Sequence, residues 1–325
     1  MGAKMSNGKK RLWLTAVILI ILMVNAFWGM GCVYGKNQRV TPKLAAKGYP
    51  LQITDSYRRR VTITRAPRRI ISLAPNITET IFALKKGRLL AGRTNFCDYP
   101  AAARQVASVG EIQNPNLEKI LQLQPDLVIA STHFRKEVLA KLEELGIKTV
   151  ILYGEESFTG VYEIIRQVGR IVGAGREAGQ VVARMKREAA WVAARVKNRP
   201  RPRVYYVVSF GRAGNYTAGR DTFIAKMLTL AGGVNVADDS RGWQYSLEKL
   251  TAKNPEIIIC SKYFHTKAAL RKAVGYRDLP AVKAGRLYEI DSNLLDRQGP
   301  RLTAGLVALA RLIHPEVFTE KSRKP

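Results

Sequence analysis

Residues 116–131 read Asn-Leu-Glu-Lys-Ile-Leu-Gln-Leu-Gln-Pro-Asp-Leu-Val-Ile-Ala-Ser, and residues 246–261 read Ser-Leu-Glu-Lys-Leu-Thr-Ala-Lys-Asn-Pro-Glu-Ile-Ile-Ile-Cys-Ser. Six of the sixteen positions are identical at an offset of 130, and Asp126/Glu256, Leu127/Ile257 and Val128/Ile258 match in kind. Each copy opens on a residue whose side-chain oxygen caps a helix, Asn116 or Ser246. A short helical run follows, then a Pro that cannot continue it, then an apolar strand. A helix–strand unit that occurs once in each half of a chain implies two lobes of similar design.

Working outward, Leu51-Gln52-Ile53 and Val61-Thr62-Ile63 alternate on either side of Asp55-Ser56, the pattern of a hairpin. Residues 69–73, 127–129 and 149–152 read as short apolar strands separated by helical stretches. That alternation predicts an α/β fold with largely parallel sheets. Between the two copies, residues 177–197 contain no Pro, and Val181, Met185, Ala189, Val192 and Val196 form an apolar stripe at helical spacing. Arg184, Lys186, Arg187, Arg195 and Lys197 cover the other faces. Pro200 and Pro202 close the helix before a strand at 204–208. A helix of this length extends about 30 Å, one domain diameter, enough to join two lobes. The expected division is an N-terminal lobe at 51–173, a linker helix at 174–200 and a C-terminal lobe at 201–325.

The chain has 325 residues, with 54 Lys plus Arg against 25 Asp plus Glu, a formal charge of +29. The length suits two domains of ordinary size, and three Cys exclude a disulfide-built scaffold. The charge is not one basic surface. Residues 1–70 carry +13, residues 71–175 only +1, and residues 176–203 carry +7. With no zinc-finger spacing and no aromatic RNA-binding signature, nucleic acid is not the expected partner.

Lys9, Lys10 and Arg11 precede an apolar run at 12–30, the pattern of an export leader. It ends Gly29-Met30-Gly31-Cys32, which resembles a bacterial lipoprotein cleavage site with Cys32 as the lipidated residue. An uncleaved anchor is the alternative, because nineteen residues at 1.5 Å each, roughly 28 Å, nearly span a bilayer. Either way the protein is expected outside the cytoplasm, with residues 33–50 as a tether to the outer face of the membrane. Cys97 and Cys260 fall in different halves and read as buried thiols.

The sequence resembles the substrate-binding proteins of bacterial cobalamin and iron-chelate importers. The resemblance is carried by 51–55, 69–79, Asp98-Tyr99-Pro100, 116–131, Tyr216-Thr217-Ala218-Gly219, 230–235 and Arg297-Gln298-Gly299-Pro300-Arg301-Leu302. It implies two α/β lobes joined by one backbone helix, with ligand in the cleft between them. It further implies a monomer that delivers a corrinoid or ferric chelate to an ABC permease and its ATPase, with no resident cofactor and no catalysis. A haem or siderophore receptor, or a sensor or scaffold domain, is the alternative. The matching Glu of each repeat, Glu118 and Glu248, is implied to dock into basic pockets on the permease. The other reading of each Glu is a third helical residue completing an N-terminal capping arrangement.

Ligands of open parallel sheets sit beyond the carboxyl ends of the strands. The turns after the strands therefore supply the ligand-binding candidates Asn76, Phe96, Tyr99, Tyr216, Trp243 and Arg297. Aromatics recur there, which suits a large planar ligand. By the resemblance, Phe96 occupies a position where cobalamin-binding relatives stack a Tyr, and Trp243 lies near one where they carry a Trp. A third such aromatic has no counterpart, since Glu111 and Ile112 occupy that region. Arg93, Arg220, Arg241 and Arg297 are candidates for pairing with ligand carboxylates, with surface solvation as the alternative. His133 and His265 follow strands, but no paired spacing or Cys cluster marks a protein-bound metal. No nucleophile elbow, phosphate loop or metalloprotease motif occurs.

Overall fold

The computed structural model describes residues 48–318, except 133 and 213. The leader, Cys32, His133 and all of the tether but its last three residues lie outside the described residues. The chain divides into two compact units. One comprises 202–225 and 234–289, and the other 48–201, 226–233 and the segment from 290. The chain passes between the units after 201, 225, 233 and 289, and the last helix falls in the unit that holds residues 48–201.

That unit opens with a hairpin, β1 (Leu51–Thr54) and β2 (Arg60–Ile63), in which Ile53 pairs with Val61. Its turn is built on Asp55, whose Oδ1 accepts the Tyr57 and Arg59 backbone N–H groups at 2.9 and 3.0 Å. The Ser56 N–H donates to the Ile151 carbonyl at 2.9 Å, so the hairpin is stitched to the edge of the main sheet. That sheet contains β3 (Ile70–Ser72), β4 (Leu90–Arg93), β5 (Leu127–Ala130) and β6 (Thr149–Ile151), parallel in the order β4-β3-β5-β6. Every residue of β3, β5 and β6 is buried, which is why these strands read as unbroken apolar runs.

Helix α1 (Pro75–Ala83) follows β3; Pro75 sits in its first turn, where no N–H is needed. Helix α2 (Leu117–Gln122) is the first repeat helix, and α3 (Lys136–Glu144) and α4 (Phe158–Ile171) are crossover helices. The predicted long helix is α5 (Gly175–Val196), whose buried residues include Val181, Met185, Val192 and Val196. It packs against α4 through Gly169. A Cβ there would lie 2.5 Å from the Ala178 Cβ, so only glycine permits this approach. Gly169→Ala is expected to cost about 1–3 kcal/mol by overpacking, read as a lowered thermal midpoint.

The other unit holds β7 (Arg203–Val207), β8 (Val234–Asn235), β9 (Ile257–Ser261) and β10 (Leu287–Ile290), in the order β10-β9-β7-β8. Its core gathers Tyr205, Val207, Leu250, Ile258, Cys260, Tyr276 and Leu287. Helix α6 (Phe223–Leu230) spans the boundary between the units, and α7 (Leu247–Lys253) is the second repeat helix. Short helices α8 (Thr266–Leu270) and α9 (Pro280–Lys283) precede β10. After it come α10 (Asn293–Asp296) and α11 (Leu302–Ile313), which packs on α5.

The two repeats fold alike down to their hydrogen bonds. Asn116 Oδ1 accepts the Lys119 N–H at 2.9 Å, and Ser246 Oγ accepts the Lys249 N–H at 3.1 Å. In both copies a left-handed residue, Gln124 (φ 43°) or Asn254 (φ 45°), stands between the helix and the Pro. The acid after that Pro holds the start of the neighbouring strand. Asp126 accepts the Arg69 N–H at 3.1 Å, and Glu256 accepts the Arg203 N–H at 2.9 Å.

Candidate functional site

In the unit that holds residues 48–201, the carboxyl ends of β3 and β4 carry a cluster centred on Glu79, a carboxylate with only 1% of its side chain exposed. Arg301 grips it with a two-pronged fork, Nε to Oε2 at 2.8 Å and Nη2 to Oε1 at 2.6 Å. Arg297 Nη1 adds a bond to Glu79 Oε1 at 3.1 Å and another to Asp98 Oδ1 at 2.6 Å. Two cations and two carboxylates balance, as burial demands. The Arg301 guanidinium lies 3.9 Å from the centre of the Tyr99 ring, a cation–π contact that fixes the ring while 46% of Tyr99 remains exposed.

Asn76 lies at the start of α1, where its Nδ2 donates to Ser131 Oγ at 3.2 Å and to the Gln298 carbonyl at 3.4 Å. Phe96 is half-buried in the loop after β4. Of the candidates read from the sequence, Asn76, Phe96, Tyr99 and Arg297 therefore share this sheet end. Arg297 was expected to meet a ligand carboxylate or solvent; its guanidinium instead meets Glu79 and Asp98 of the chain itself. Arg93 is likewise used internally, donating to the carbonyls of Thr94, Ala103 and Arg104 at 3.0–3.1 Å.

Electrostatics follow from this packing. Burial alone would raise the Asp98 carboxyl, but the Arg297 hydrogen bond and charge outweigh it and hold the group below the usual carboxylate range. Such a group stabilises the fold above its unfolded pKa, and the contribution is lost as pH falls through the depressed folded value. Asp98→Asn is therefore expected to lower stability near neutral pH by at most about 1 kcal/mol, because solvent screens the pair. In paired melts the gap to the parent protein should close at pH below about 4. Cys97 beside this loop is a buried free thiol pushed upward by burial, and buried Cys260 in the other unit is pushed to about 12 for the same reason.

In the other unit, Trp243 is half-buried on a loop held by a backbone ladder. The Thr217 N–H donates to the Trp243 carbonyl at 2.7 Å and the Gly219 N–H to the Gly242 carbonyl at 2.9 Å. A Cβ on Gly219 would lie 2.6 Å from that carbonyl oxygen. Tyr216 is 2% exposed. Its expected place as a lining ring is therefore corrected: the ring is core, and its backbone bridges Ser209 and Gln244 to position the Trp243 loop. Arg220, Arg241 and His265 are exposed. No group of three or more His, Cys, Asp or Glu among the described residues is placed to hold a metal ion.

Glu118 and Glu248 are both exposed and are the second residues of α2 and α7. The third helical residue is Lys119 or Lys249, so neither Glu closes a capping box. The Asn116 N–H that such a box would need donates to the Val109 carbonyl at 2.7 Å. Among the described residues neither Glu makes an ion pair. Glu79 and Arg301 lie in stretches that carry the family resemblance but were not among the ligand-binding candidates. Their signal was an acid on the apolar face of a predicted helix and two Arg four residues apart.

An exposed aromatic ring and polar side chains at the carboxyl ends of a parallel sheet, beside a buried ionic cluster, suit a protein that holds a solute. Residues 70–294 match the model of the periplasmic binding protein family, and the chain belongs to that family. It is 32% identical over 319 residues to the uncharacterized ABC transporter substrate-binding lipoprotein YvrC of Bacillus subtilis, covering 96% of this chain and 100% of that one. It is 28% identical over 282 residues to the cobalamin-binding protein of Halobacterium salinarum, over 83% of this chain and 75% of the relative. Among solved structures, the periplasmic heme-binding protein RhuT from Roseiflexus sp. RS-1 matches with a TM-score of 0.71 and 26% identity, over 77% of this chain and 99% of that one. No helix among the described residues is long and apolar enough to cross a membrane.

Proposed function

We propose that this chain is the extracytoplasmic solute-binding component of an ABC importer. It captures a corrinoid or a ferric chelate such as haem, and it performs no chemistry on its cargo. The observation that carries the reading is the exposed Tyr99 ring, stacked on Arg301, which Glu79 holds in turn, at the carboxyl end of a parallel sheet. A pre-fixed aromatic surface suits a large planar ligand, because little conformational freedom is lost on binding. Asn76, Phe96, Tyr99 and Trp243 supply ligand contacts, with Arg297 holding the Asp98 loop in place. Glu118 and Glu248 meet the permease, and the chain is held at the membrane through Cys32. The names of the Halobacterium and Roseiflexus relatives favour cobalamin and haem over other chelates.

Tryptophan fluorescence tests the assignment of Trp243. Cyanocobalamin or haemin is expected to quench emission on binding, and Trp243→Phe to remove most of that quench while binding persists. Unchanged quenching in the variant would remove Trp243 from the site.

A further inference from the structure

At the opposite end of the same sheet, a concavity of about 480 Å³ is lined by Ala66, Pro67, Arg68, Lys86, Arg88, Leu89 and Val172. Its position follows from strand register. Ile70 of β3 pairs with Leu90 of β4, so Arg68 and Arg88, each two residues upstream, lie side by side before the amino ends of adjacent strands. Lys86 joins them, and no acid lines the concavity. Among the described residues none of the three cations is in an ion pair. The nearest acid in the strand register, Asp126, is occupied by the Arg68 and Arg69 backbone N–H groups at 2.8 and 3.1 Å. Ala66, Pro67, Leu89 and Val172 supply the rest of the lining. Three cations with no ion-pair partner among the described residues, set beside apolar side chains, suit an anion that carries a hydrophobic body.

The end of the expected tether, 33–50, is fixed beside this concavity. The Tyr49 hydroxyl donates to the Ile171 carbonyl at 2.7 Å, and the next residue, Val172, lines the concavity. Between Cys32 and Gly48 lie fifteen residues, which reach about 50 Å at most when fully extended. A membrane attachment at Cys32 therefore keeps this face within reach of lipid headgroups, where each Lys or Arg adds attraction to an anionic surface.

We propose that Arg68, Lys86 and Arg88 form a binding site for the phosphate headgroup of an anionic phospholipid, which orients the tethered protein on the membrane. The site rests on the tethered reading of the chain, but its test does not require the attachment chemistry or the transported ligand. The full chain in neutral detergent micelles is titrated with phosphatidylglycerol or phosphatidylcholine while its thermal midpoint is followed. Phosphatidylglycerol should raise the midpoint in a concentration-dependent way, phosphatidylcholine should not, and added salt should weaken the response. The triple variant R68Q/K86Q/R88Q should lose at least about tenfold in apparent lipid affinity, whereas the charge-preserving K86R/R88K should keep it. Capture of cyanocobalamin or haemin by the triple variant should be unchanged, which separates failure of this site from failure of the transport reading and shows that the variant folds. Equal responses to the two lipids, or a full response in the triple variant, would overturn the proposal. An equal shift with inorganic phosphate alone would also overturn it, assigning the concavity to a free anion.

Discussion

Uptake by cells carrying Glu118→Ala together with Glu248→Ala is expected to fall to that of cells lacking the protein, while ligand affinity in solution stays within about twofold. Both side chains are exposed, and among the described residues neither takes part in an ion pair or a capping box, so removing them should change stability by less than about 0.5 kcal/mol. What they share is position, the second residue of the same helix in two copies of one structural unit. Two equivalent carboxylates define a two-point electrostatic contact, which sets orientation and partner choice more than raw affinity. Each single substitution should give an intermediate loss that deepens as ionic strength rises, since the remaining contact is screened. Transport assays beside equilibrium binding read both quantities. Normal uptake by the double variant would sink the docking role, and lost ligand binding would move the two residues to a different function.

Glu79→Ala should be the most damaging single change to the fold. It leaves two guanidinium groups with side chains only 12% and 19% exposed without their shared partner. Breaking a buried pair by removing one member costs about 3 kcal/mol or more, which corresponds to a drop of roughly 6–12 °C in the thermal midpoint for a domain of this size. A second effect separates this role from simple scaffolding. With Arg301 released from its fork, the Tyr99 ring loses the contact that fixes it, so ligand affinity should fall even at temperatures where the variant is fully folded. Glu79→Gln should fall between, because an amide still accepts hydrogen bonds but carries no charge. Thermal melts and binding at low temperature distinguish the two effects. A variant that melts like the parent would show that the cluster is not the brace described.

The parts of the fold that were legible from sequence are those whose signals are local. Asn116 and Ser246 cap because their side chains reach the N–H three residues on, and Pro125 and Pro255 stop the helices by chemistry that needs no context. The stripe Val181, Met185, Val192 and Val196 marked the buried face of α5 for the same reason. The hairpin around Asp55 was readable from alternation, although the hydrogen bonds that shape its turn were not. What stayed hidden depends on residues far apart in the chain. Arg301 and Glu79 are separated by 222 positions, and neither carries any local mark of the other. The matched bonds from Asp126 to Arg69 and from Glu256 to Arg203 extend the repeat beyond its sequence limits for the same reason. Tyr216 was misplaced because a Tyr after a strand reads alike whether its ring turns toward solvent or into the core. The step from third to second helical residue at Glu118 and Glu248 is a boundary error of one position, yet it decides whether the carboxylate is used inside the helix or left for a partner.

The most direct test of the central claim is isothermal calorimetry of the purified protein against cyanocobalamin, haemin and a ferric siderophore, with the recovered ligand examined by mass spectrometry. One of the three should bind with a Kd of about a micromolar or tighter, equivalent to roughly −8 kcal/mol, and should be recovered unmodified. Absence of binding to all three would contradict solute capture of this class, and a chemically altered ligand would contradict a carrier that performs no chemistry.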